Sequence, residues 1–166
     1  MCILRIKPWN ILYSRKSIIR LTSLAIMNLD LSSLKKSIAA LEQSLSVTEY
    51  SKDFHSLSLA QQETLQSGVI QNFEICYELS WKFIKRWLEV NEGQEIVDGV
   101  TRRELYRIAF ENRLIENVEE WMNFHSTRNI TSHSYDAEVA NNAYETAVHF
   151  LPFAKKLLER LTLKND

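Results

Sequence analysis

The stretch Ser58–Asn91, SLAQQETLQSGVIQNFEICYELSWKFIKRWLEVN, decides the fold. Its residues Leu65, Val69, Phe73, Tyr77, Trp81, Ile84 and Leu88 recur every three or four positions, the period that lines one face of an α-helix. Unbroken, such a helix spans about 33 residues and about 50 Å, at about 1.5 Å per residue. Gly68 is its one weak point, costing roughly 1 kcal/mol relative to alanine. A helix this long with a single apolar stripe needs partners along its whole length.

The flanking sequence supplies them. Asp30 or Ser32 can cap a helix whose apolar positions are Leu34, Ile38, Leu41 and Leu45. Glu92–Val100 holds Gly93 and Gly99 and reads as the main loop. Thr101 and Glu104 have capping-box spacing ahead of a short helix through Leu105, Ile108 and Ala109, ending near Asn112. Asn117 starts another, through Val118, Trp121 and Phe124. A last helix runs from about Asp136 to Leu161, with Pro152 inside it, where a missing amide and a crowded turn predict a kink. The expectation is an all-α, antiparallel up-and-down four-helix bundle with an extra short helix.

Composition points the same way. The 166 residues contain only 3 Gly and 2 Pro, too few for the turns of a sandwich or barrel or for a glycine-rich phosphate loop. Two cysteines, Cys2 and Cys76, support neither a disulfide framework nor a four-ligand zinc site. His55, His125 and His149 show no metal-ligand spacing, so neither metal nor cofactor is expected. A reducing, cytoplasmic setting is the default for this cysteine usage. No run of 18 uncharged apolar residues occurs, so no membrane span is predicted.

The formal charge of −1 averages two unlike parts. Residues 1–26 carry Arg5, Lys7, Arg15, Lys16 and Arg20 and no acid, leaving 15 basic against 21 acidic residues in the rest. Charges interrupt every apolar run in this leader before it reaches signal-peptide length. A transit-like leader and a peripheral arm are alternatives, but the reading preferred is that translation starts at Met27, with residues 27–163 forming the bundle domain. The acidic balance of that domain argues against a broad, sequence-blind nucleic-acid surface and leaves room for a small basic site.

One segment could carry chemistry: Arg128-Asn129-Ile130-Thr131-Ser132-His133-Ser134-Tyr135-Asp136. It sets a guanidinium, a carboxamide, an imidazole and a phenol at the junction of two predicted helices. An imidazole titrates near neutral pH and can move the proton of a 2′-hydroxyl or a leaving group; a guanidinium can hold charge building on phosphorus. Arg128 and His133 would lie about 140° apart on an uninterrupted helix, at about 100° per residue. Convergence therefore needs a break near Thr131-Ser132, or two copies of the chain. The same residue types also cap helix ends, and the residues alone leave that plainer reading open.

Arg-x4-His-x-Tyr, with a polar residue after the arginine, resembles the signature of HEPN-domain proteins. Together with Gly68–Glu74 and Tyr77–Lys82, it makes the chain from about Met27 to Leu161 similar to the nucleotidyltransferase substrate-binding branch of that superfamily. The resemblance implies a homodimeric helical bundle that works with a separate minimal nucleotidyltransferase in a toxin–antitoxin-like module. It further implies a metal-independent ribonuclease with Arg128 and His133 catalytic, Asn129 supporting and Tyr135 as the acceptor of AMP. The alternative is a non-catalytic subunit in which the same residues grip a nucleotide or substrate.

Other residues have two readings each. Glu74, Glu78 and Lys82 step by four along the long helix, as solvated ion pairs or as carboxylates that support Arg128 or His133. Trp81 and Cys76 read as core packing. Arg102, Arg103 and Arg107 either extend a phosphate-contacting surface toward Arg128 or are solvated. Trp121, Met122 and Phe124 read as core, with a dimer seam as the alternative.

Overall fold

The structure, a computed structural model, describes residues 28–49, 51–131 and 137–165. The 1–26 leader and Met27 lie outside the described residues, as do His133 and Tyr135. Among the described residues the chain is helical, without strands. In order, α1 is Ser32–Val47, α2 Leu59–Asn91, α3 Gln94–Val97, α4 Arg102–Glu111, α5 Val118–Thr131 and α6 Ala137–Leu163, with a 3-10 turn at Phe54–Ser56. The four long elements α1, α2, α5 and α6 form the expected antiparallel bundle; α3 packs on α2, and α4 packs on α5 and α2.

The helix starts follow from local chemistry. Asp30 accepts a hydrogen bond from the Ser32 amide at 2.9 Å, and that bond is the main cause holding its carboxyl below the usual range. Asn117 accepts from the amides of Glu119 and Glu120. Thr101 accepts from the Glu104 amide at 3.2 Å, the hydroxyl half of the expected capping box. α2 runs unbroken through Gly68, where a methyl group would meet nothing within 4 Å. α6 likewise continues through Pro152, which is exposed.

Cross-connections fix the helix directions. Asn165 exchanges two hydrogen bonds with the Leu29 backbone, while Tyr144 at the other end of α6 donates to Thr48 just after α1. α1 and α6 are therefore antiparallel. Glu116 pairs with Lys156 and Arg160, and Thr127 meets Thr146, which sets α5 antiparallel to α6 in the same way.

The core is built from the predicted stripes. Leu34, Leu41 and Leu45 of α1 and Val69, Phe73, Ile84 and Leu88 of α2 are fully buried. Phe150 of α6 lies at the centre of an aromatic cluster, edge-to-face with Phe73, Tyr77, Trp121 and Phe124. Trp121 and Phe124 are core residues. Cys76 is buried as expected, beside Ser80 and Ser37, and burial pushes its thiol up to about 11. Trp81 packs against this core from its edge. It is only half-buried, because it faces the gap between α2 and α4 where a polar cluster takes the place of core.

Candidate functional site

Three helices meet around that cluster. α2 contributes Tyr77, Glu78 and Trp81; α4 contributes Arg102 and Tyr106; α5 contributes His125, Arg128 and Asn129. On α2, Glu78 follows the buried Tyr77 in sequence and so emerges at the edge of the core, half-buried. On α5, Arg128 sits seven residues after the buried Trp121, two helical turns along, and is likewise half-buried.

Glu78 is the hub. Its Oε1 lies 3.2 Å from Nε of Arg128, and its Oε2 accepts from the Trp81 indole N–H at 3.1 Å and lies 3.5 Å from Lys82 Nζ. Both readings offered for this carboxylate are thus present in one side chain: an i,i+4 ion pair along α2, and a bridge to Arg128 on α5. Trp81 carries a further load, since the Arg102 guanidinium lies over its ring, 3.5 Å from the centroid.

Beside this pair runs a second chain of polar groups. The Tyr77 hydroxyl lies 2.6 Å from that of Tyr106 and 2.9 Å from Nδ1 of His125, whose Nε2 is 3.2 Å from the Asn129 amide nitrogen. His125 also stacks on the Tyr77 ring. With the amide oriented so that Asn129 donates, Nε2 of His125 is the acceptor and Nδ1 carries the proton, so the chain runs inward from Asn129 to Tyr106. Burial pushes the Tyr77 phenol up to about 12 and holds that of Tyr106 well above its ordinary value. Burial, reinforced by the positive charge of Arg102, holds the His125 imidazole below its ordinary value, with Glu78 opposing.

The structure thus joins Arg128, Asn129 and Glu78 of the sequence-predicted residues in one neighbourhood. Glu74 is half-buried one turn earlier on α2. α5 ends at Thr131 and α6 begins at Ala137, so His133 and Tyr135 fall between them in sequence, outside the described residues. Of the three arginines on α4, Arg102 turns toward the cluster, whereas Arg103 pairs with Glu119 and Arg107 with Glu104. His125 is a member of the cluster that the sequence reading does not put there. The signal lies in the spacing, since His125 and Asn129 are four apart and share a helix face. Among the described residues no group of three or more metal-ligating side chains occurs. No helix there is long and apolar enough to cross a membrane.

An antiparallel bundle whose helices α2 and α5 are bridged by a half-buried Glu–Arg pair defines the class: an all-α protein with a polar seam let into its core. Residues 29–163 match the family described as nucleotidyltransferase substrate binding protein like, and the chain belongs to that family. The expected resemblance is therefore established for nearly all of the domain. A Haemophilus influenzae protein described as a probable ribonuclease HepT is 37% identical over 106 residues, which span 63% of this chain and 73% of that one. A solved H. influenzae structure, described as the fold of a substrate-binding domain of a nucleotidyltransferase, superposes with a TM-score of 0.76 at 33% identity, covering 80% of this chain and 99% of the other. A Thermus thermophilus structure, at TM-score 0.61 and 22% identity over 77% of this chain and 98% of its own, shares the fold.

Proposed function

We propose that this protein is a metal-independent endoribonuclease of the HEPN type that acts as the partner of a minimal nucleotidyltransferase in a toxin–antitoxin-like module. The observation that carries this reading is the Arg128-x4-His133-x-Tyr135 motif, whose Arg128 is ion-paired with Glu78 across the helix interface, Nε to Oε1 at 3.2 Å. A carboxylate fixed beside the guanidinium biases where that positive charge sits, which helps place it against a charge building on phosphorus. In cleavage, His133 would take the proton of a ribose 2′-hydroxyl as its oxygen attacks the adjacent phosphorus. The bond from phosphorus to the 5′-oxygen then breaks, the imidazolium returns its proton to that oxygen, a 2′,3′-cyclic phosphate is left, and Arg128 balances the charge on the phosphoryl oxygens. Two copies of the chain, paired as a homodimer, would bring two such sets to one cleft. Asn129 supports the arrangement.

Tyr135 is the proposed point of control. Its phenolic oxygen would attack the α-phosphorus of ATP bound to the nucleotidyltransferase, releasing pyrophosphate and leaving AMP on the ring. Two residues from His133, that addition places bulk and a phosphate charge beside the imidazole and silences it. The test is co-expression with a neighbouring nucleotidyltransferase followed by intact mass and peptide mapping. The reading expects one AMP on Tyr135, and RNA cleavage by the unmodified protein that His133→Ala abolishes.

A second reading is favoured by the description of the solved H. influenzae relative as a substrate-binding domain. In it, the same residues hold a nucleotide or substrate for the partner without cutting RNA. RNA left intact by a protein that still binds the nucleotidyltransferase would select it.

A further inference from the structure

Between α2, the loop after α3, and the start of α4 lies a cleft of about 390 Å³, lined by Trp81, Lys85, Thr101, Arg102, Leu105 and His125 among others. That volume is within the roughly 300–1,000 Å³ of small-ligand pockets. Its lining combines two features. Arg102 supplies positive charge, joined by Lys85, whose Nζ is 3.5 Å from Glu89 Oε1 outside the lining, and among the described residues no carboxylate lines the cleft. Half-buried Val100 and Trp81, backed by the buried Val97 and Leu105, supply an apolar and aromatic wall.

Arg102 is the decisive residue. Among the described residues it makes no ion pair, whereas its neighbours Arg103 and Arg107 each have a glutamate. Instead its plane is stacked on Trp81, and Trp81 is itself pinned by the hydrogen bond from its indole to Glu78. Stacking leaves the N–H edge of a guanidinium able to donate in its own plane, the geometry that meets phosphate oxygens bidentately. An arginine held flat against a fixed indole, at the wall of a cleft without carboxylates among its described lining, is a ready-made anion donor whose side-chain freedom is already reduced.

We infer that this cleft binds a nucleoside phosphate, with the phosphate on Arg102 and Lys85 and the base against the apolar wall. The inference rests on the reading of the protein as one that handles nucleotides or RNA, but it does not depend on cleavage. The ligand would be a free nucleotide or one nucleotide unit of an RNA strand. Through His125, which lines the cleft and bonds to Asn129, the cleft adjoins the Arg128 motif. A strand that seats one nucleotide here would run toward Arg128.

The experiment is equilibrium binding to the full chain carrying His133→Ala, so that RNA stays intact, with AMP, inorganic phosphate and a short single-stranded RNA as separate probes. AMP binding that Arg102→Ala weakens tenfold or more, and Arg107→Ala leaves within twofold, identifies a free-nucleotide site. RNA binding with the same dependence and no AMP binding identifies a strand subsite. Arg102→Lys, which keeps the charge and loses the fork, should recover only part of the affinity. The proposal is overturned if inorganic phosphate binds as well as AMP, if no probe binds, or if Arg102→Ala melts at the native temperature and binds every probe as the parent does. Equal losses in Arg102→Ala and Arg107→Ala would also overturn it, since that is general attraction by charge. Failure of the nuclease reading is seen separately, as intact RNA after incubation with the native chain.

Discussion

The hydroxyl of Tyr77 bridges the hydroxyl of Tyr106, at 2.6 Å, and Nδ1 of His125, at 2.9 Å. One side chain of α2 thereby ties α4 and α5 together, inside a region otherwise filled by aromatic rings. Buried polar groups are costly unless each has a partner, so this bridge fixes how the three helices sit against one another. The half-buried Arg128 and Arg102 ride on those same helices.

Removing the bridging oxygen should therefore destabilise the fold and blur the seam. Tyr77→Phe leaves the Tyr106 hydroxyl and His125 Nδ1 without their shared partner while preserving ring packing. A loss of about 1–3 kcal/mol is expected. Urea unfolding checks it. A variant as stable as the parent would mean that water replaces the hydroxyl without cost.

The imidazole makes part of the stability pH-dependent. The folded His125 has its pKa depressed below the ordinary 6.5, so on acidification the unfolded chain takes up the proton first. Stability from this group is fully present above about pH 6.5 and is lost as pH falls through the lower folded value. Protonation would also set an Nε2–H donor against the Asn129 amide, which must then turn over. The gap in melting temperature between the native chain and His125→Gln is expected to narrow from pH 7.5 to pH 5. A gap that widens with acid would contradict the assignment.

Glu78 is expected to act on catalysis only through Arg128. Glu78→Gln removes the charge that holds the guanidinium while keeping the hydrogen bond from Trp81 available. RNA cleavage should fall about 10-fold or more in kcat, with little change in KM, and Arg128→Ala should fall further. Combining the two should cost no more than Arg128→Ala alone, the mark of residues acting as a unit. Independent, additive losses would separate them.

Two substitutions test the core and the long helix in opposite directions. Phe150→Ala removes the ring that contacts four other aromatic residues and should cost about 3–5 kcal/mol. Gly68→Ala should stabilise by about 0.5–1 kcal/mol, because the position is mid-helix and a methyl group meets no neighbour there. Both are read from denaturant midpoints at unchanged slope.

The last prediction concerns Tyr135. If it is the acceptor, Tyr135→Phe should take up no AMP in cells that also make the nucleotidyltransferase, and it should stay active on RNA and slow growth. Intact mass measures the first effect and growth the second. AMP uptake equal to the parent's would move the acceptor elsewhere.

The long helices, their order and their buried faces are legible in the chain's local spacing, whereas the short helix Gln94–Val97 falls in the stretch read as loop. The period of Leu65 to Leu88, the carboxylate of Asp30 and the carboxamide of Asn117 act within a turn or two of the chain, so spacing alone exposes them. The sequence by itself also carried the family, through the Arg128 motif and the long Glu/Trp helix. The seam was decided by tertiary structure. Tyr77 meets His125 across 48 residues and Arg102 covers Trp81 from another helix; neither pairing has a local period. That Trp81 packs at the edge of the core could not be told for the same reason. Its apolar face fits the stripe, and only the arrival of α4 replaces core with a guanidinium and a cleft. Periodicity reports which face of a helix is turned inward, whereas the polar partner waiting there is set by how separate helices pack.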